Sequence, residues 1–127
     1  MTVSTSKLSG LCRVGLWLAV VVTLWFALTP HPPRIFAWDK AEHGLAFSVL
    51  TLTLVAAYPS FGWVRSAIAM SCLGAGIELV QAIPALRRDS SLDDWFADNV
   101  AIMLALVVVL AIRAVFGRFQ ERDVTTV

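Results

Sequence analysis

Three short stretches place ionisable side chains at spacings that give them a common face. Asp39-Lys40-Ala41-Glu42-His43 sets Asp39 and His43 four residues apart, Glu78 and Gln81 are three apart, and Asp94 and Asp98 are four apart. On helices, each pair falls on one side of its element, one turn above the other. Such a set can grip the polar head of a ligand. Arg88 offers a planar fork to phosphate, Lys40 a point charge, and Gln81 both a donor and an acceptor. An enzymatic reading is the alternative: His43, Glu78 and Asp94 are its catalytic candidates. With Asp39, they can hold a divalent ion, or His43 can act as a general base oriented by a carboxylate, in hydrolysis or group transfer at the membrane surface. The set is too rich in carboxylates for a structural zinc site, and the other histidine, His31, stands in a Pro-rich loop and reads as an exposed residue. The binding reading needs no resident metal or cofactor. A third reading makes the chain a structural accessory subunit whose buried acids pair with Arg or His to fix helix register.

The surrounding sequence says what must carry these groups. Of 127 residues, 58% are hydrophobic and only 15% charged, with a mean hydropathy of +0.77. A soluble domain carries about 25% charged residues, so a soluble globular enzyme is excluded. The chain is too short for two domains, and a net charge of +1 offers no basic surface for nucleic acid. Charges do not enter residues 14–30 or 44–64, runs of membrane-span length. Cys12 and Cys72 both fall inside apolar runs, where a thiol behaves as a small hydrophobe, so no disulfide is expected. There is no Gly-rich phosphate loop and no Cys-x-x-Cys.

Punctuation divides the chain into four helices, an all-α polytopic membrane protein with antiparallel spans. The first runs from about Leu11 to Leu28 and is stopped by Pro30, Pro32 and Pro33. The second runs from near Lys40 to Tyr58. A break over residues 59–63 returns the chain into the third, about Trp63 to Ile83. Pro84 ends that helix, residues 85–89 form a short polar loop, and Ser90 or Ser91 caps a fourth helix that runs to about Phe116. Lys7 and Arg13 precede the first apolar stretch, but no small-residue cleavage site follows, so this is an uncleaved span. Residues 1–10 and 117–127 are tails flanking a single domain at 11–116, with the last ten residues expected to be disordered. Trp38, Trp63 and Trp95 stand at helix ends and are expected to anchor at the headgroup level.

Lys7, Arg13, Arg65, Arg113, Arg118 and Arg122 lie on the side of the termini, against Arg34, Lys40, Arg87 and Arg88 on the other. That bias predicts a multi-pass plasma-membrane protein with both termini cytoplasmic. Alternating direction then brings the start of the second helix, the end of the third and the start of the fourth to the outer surface, where most of the acids gather. Glu78 is the sharpest case, since residues 66–77 before it carry no charge. A charge inside a span costs about 2.5–3.5 kcal/mol, so it must be neutralised or paired, and Arg87 or Arg88 in the following loop is its expected partner, Arg88 being favoured. Gly74 lies on the same face as Glu78, and Ala97, Ala101 and Ala105 form a small-residue ridge near Asp94 and Asp98 that lets backbones approach in lipid.

The residues Asp39-Lys40-x-x-His43 with Ala46-Phe47, Ala57-Tyr58-Pro59, Gly74-x-x-x-Glu78-x-x-Gln81, and Arg88 followed by Asp94 and Ala97-Asp98 resemble the VanZ-like family of small bacterial membrane proteins. The resemblance covers about residues 36–110. Asp98 departs from the family's usual Asn, and Ala101 from its usual Gly. It implies that the recurrent polar positions are Asp39, Lys40, His43, Glu78, Gln81, Arg88, Asp94 and Asp98. It also implies a cell-envelope role, the family being named after a protein associated with low-level resistance to the glycopeptide teicoplanin. The expected partners are the bilayer and a lipid-linked envelope intermediate or lipid-tailed glycopeptide, held in an outward-facing pocket.

Overall fold

The computed structural model describes residues 5–35 and 38–124, with side chains over 7–35, 38 and 40–116. Four α-helices follow one another: α1 (Thr5–Leu28), α2 (Asp39–Ala57), α3 (Trp63–Gln81) and α4 (Leu92–Val124), with a 3-10 turn at Pro84–Leu86 before α4. No strand occurs among the described residues.

The breaks have local causes. At the end of α2 the Tyr58 amide closes back on the Leu54 carbonyl, and Pro59 prevents another turn. Gly62 opens α3 at φ 85°, a backbone region that side chains resist, and this lets the chain reverse within a few residues. At the far end of α3, Ile83 is extended ahead of Pro84, as the proline ring demands. Arg87 then turns left-handed at φ 50°, redirecting the chain toward α4.

Three helical stretches among the described residues, Lys7–Leu28, Trp63–Gln81 and Leu92–Phe116, are long and apolar enough to cross a membrane. The α2 helix is not one of them, because Lys40, Glu42 and His43 occupy its first turns. It packs against each of the other three, most extensively against α4 and α1. Phe47, Leu50, Thr51 and Leu54 recur at helical spacing along its buried stripe and meet Ile102 and Leu106 of α4, Met70 and Ile77 of α3, and Leu16 of α1 in one core. The buried hydroxyls stay inside their own helices: Thr51 donates to the Phe47 carbonyl (2.7 Å) and Ser66 to that of Gly62 (2.8 Å). Outside this core the surface is strongly apolar, with Leu11, Trp17 and Val21 of α1 and Leu104, Val107 and Val108 of α4 all exposed. Faces of that extent suit lipid or a partner rather than water.

Two boundaries differ from the sequence expectation. The α1 helix begins at Thr5 and α4 continues to Val124, so most of each expected tail is helical backbone. Apolar content marks where a span stops, not where hydrogen bonding along a helix stops. Residues 1–4, 36, 37 and 125–127 lie outside the described residues, as do the side chains of Asp39, Arg118 and Arg122.

Candidate functional site

The polar residues lie on the same stripes that build the core. On α3 the buried positions are Ser66, Met70, Gly74, Ile77, Glu78 and Gln81, a helical progression whose last turns carry the two polar members. On α4, Asp98 precedes Ala101, Ile102, Ala105 and Leu106 on one inward face. Burial of Glu78 and Asp98 is therefore a property of helix register.

Each buried acid has a definite environment. Asp98, 1% exposed, faces His43 of α2, with Oδ1 3.0 Å from the imidazole Nδ1. An ionised carboxylate only accepts, so in that state of Asp98 the Nδ1–H of His43 donates. Close packing with α3 makes the contact possible, because a Cβ on Gly74 would stand 2.9 Å from Asp98 Oδ2 and 3.3 Å from the Phe47 ring. Trp95 closes the same corner, its indole N–H donating to the Ser71 carbonyl at 3.1 Å. Trp95 is thus a half-buried clasp between α3 and α4, whereas Trp38 and Trp63 are exposed.

Glu78, 6% exposed, is held differently from the expectation. Its Oε2 accepts from the Ser91 amide (2.7 Å) and the Ser90 hydroxyl (3.1 Å), at the N-terminus of α4. Backbone N–H groups and the positive end of the helix dipole stabilise a carboxylate there. No ion pair to Arg88 forms within 4 Å, so Arg88 is not the partner. A helix N-terminus supplies compensation that no residue type announces. The other oxygen, Oε1, is buried without a hydrogen-bond partner. One ligand-type atom from each of His43, Glu78 and Asp94 lies within 4.8 Å of the others, so three helices do deliver their groups to one place.

The remaining expected residues separate from this group. Gln81 donates from Nε2 to the Ala27 carbonyl at 2.8 Å and ties α3 to the end of α1. Lys40 pairs with exposed Asp93 at 3.7 Å, on the rim. Glu42 accepts from the Ile35 amide at 2.7 Å, which fastens the Pro-rich segment to α2.

Beside the group opens a cleft of about 720 Å³. Its walls are apolar along α1 and α2, with Leu18, Val22, Phe26, Leu45, Phe47 and Val49. At the other end they carry His31, Arg34, Glu42, His43, Arg87, Arg88 and Asp89. Arg88 is half-buried, and its Nε has no hydrogen-bond partner. The sequence reading gave Arg34 and His31 no part in a site and Arg87 only second place as a partner for Glu78, and His31 is indeed exposed, yet all three line this cleft. Their clustering next to prolines and ahead of a helix start was the available signal. The cleft combines an apolar trough with a basic, hydrogen-bonding head. Comparison with known protein families, curated proteins and solved structures gives no match.

Proposed function

We propose that the chain is a multi-pass protein of the bacterial plasma membrane, with four antiparallel spans and both termini cytoplasmic, that binds the polar head of a lipid-linked envelope intermediate or a lipid-tailed compound. Helix-end contacts support the topology. The start of α2 meets the start of α4 through His43 and Asp98, the end of α3 meets the end of α1 through Gln81 and Ala27, and Arg13 of α1 reaches the Ala57 carbonyl at the end of α2. The polar first turns of α2 are tolerated in a span because that helix is wrapped by the other three. The balance of Lys and Arg assigns the orientation.

The observation that carries the binding reading is the two-toned cleft. Its apolar wall along α1 and α2 suits an acyl or prenyl chain, while Arg34, Arg87 and Arg88 collect at the end where a phosphate would sit. Arg88, with an uncommitted buried donor, is the central head-group ligand. The VanZ-like resemblance adds an envelope setting and places a teicoplanin-type glycopeptide among the lipid-tailed ligands. Native mass spectrometry of protein extracted from bacterial membranes tests the reading. The wild type is expected to retain an anionic lipid-linked species that Arg88→Ala loses by at least tenfold, and equal occupancy in the two would overturn it.

A further inference from the structure

We infer that His43, Glu78 and Asp94 form a binding site for one divalent cation of the kind that accepts mixed nitrogen and oxygen ligands, zinc or manganese. This goes beyond the lipid-binding reading, does not depend on it, and takes up the divalent ion that the sequence raised only under its enzymatic alternative. Four observations carry it.

The first is convergence. Three atoms within 4.8 Å of one another can all lie within about 2.8 Å of a common centre, and side-chain adjustments of roughly 0.7 Å bring them to the 2.0–2.2 Å of zinc–ligand bonds. The second is the Glu78 carboxylate, 6% exposed, whose Oε2 is fixed by Ser90 and Ser91 while Oε1 has no hydrogen-bond partner. A network serving only helix register would satisfy that oxygen, since an unpaired buried acceptor is costly. Third, Asp98 holds the Nδ1 side of His43 at 3.0 Å. A carboxylate behind one ring nitrogen is the usual support for a histidine that ligates metal through the other. Asp98 is itself fixed by burial and by its approach to Gly74.

Charge is the fourth. Glu78, Asp94 and Asp98 bring three carboxylates to this end of the bundle, and among the described residues the only ion pair within 4 Å to any of them is that of His43 with Asp98. A dication offsets the excess negative charge in a poorly solvated place. The imidazole and the small number of protein ligands argue against calcium and magnesium, which take six or more oxygens or keep most of their waters.

The test uses the full chain in detergent without added lipid, stripped with a chelator and then titrated with Zn²⁺ or Mn²⁺ alone. The expected result is one ion retained per chain after desalting, with affinity at least tenfold weaker in Glu78→Gln and in Asp94→Asn, and roughly 10–100-fold weaker in Asp98→Asn. Pulsed electron paramagnetic resonance of the Mn²⁺-loaded wild type, which needs no variant to fold, should show coupling to an imidazole nitrogen that His43→Gln removes. Failure to retain an ion, wild-type affinity in the two carboxylate variants, or bound Mn²⁺ without nitrogen coupling overturns the site. None of these outcomes bears on the cleft, which is tested with lipid.

Discussion

The two ends of the helical bundle use polar residues in opposite ways. At one end, Glu78 and Asp98 are drawn inside, gripped by Ser90, Ser91 and His43, and packed against the bare backbone of Gly74. At the other, Arg13 stays exposed, lying 5.0 Å over the Tyr58 ring with its Nε 3.4 Å from the Ala57 carbonyl. Arg65 and Arg113 are exposed as well. The basic end decorates the bundle, and its charges keep their access to solvent or head groups. The acidic end is built into the bundle, and removing one of its groups leaves another stranded. Groups of the first kind act as anchors, while those of the second kind are costly enough to mark a site.

Substitutions can break or sharpen that contrast. Asp98→Ala removes the buried partner of His43 and is expected to cost about 3–5 kcal/mol, read by unfolding in mixed micelles. A cost near that of a surface change would erase the distinction between the ends. Gly74→Ala forces a Cβ against Asp98 and Phe47 and should cost about 1–3 kcal/mol. Gly76, two residues along the same helix, has open space around it, so Gly76→Ala should instead stabilise by about 0.5–1 kcal/mol. Opposite signs for the two glycines would confirm that close approach is confined to the acidic corner. Arg13→Ala, at the other end, is expected to lose only about 0.5–1 kcal/mol.

Much of this arrangement is legible from residue types. Pro59, Gly62 and Pro84 mark the helix ends because their backbone constraints hold regardless of context. The grouping of His43, Glu78 and Asp94 follows from turn lengths together with the spacing of charges. The partner of Glu78 was not legible, since a search for opposite charge points to Arg88, whereas the compensation comes from the Ser91 backbone amide and the Ser90 hydroxyl. Trp95 shows a similar limit. Its place near a span end does not announce the hydrogen bond of its indole to the Ser71 carbonyl, beside the close approach at Gly74. The cleft was hidden for another reason, as its basic head is assembled from two loops distant in sequence, Arg34 in one and Arg87 and Arg88 in the other.

The most direct test of the central claim, that one end of the bundle receives a head group and the other does not, is photo-crosslinking with a phospholipid carrying a reactive group on its phosphate head. Peptide mapping with and without excess unlabelled lipid isolates the specific label. The account predicts competed label on the segments containing Arg34 to His43 and Arg87 to Asp89. Competed label centred on Arg13, Tyr58 and Arg113 instead, or spread equally over both ends, would contradict it.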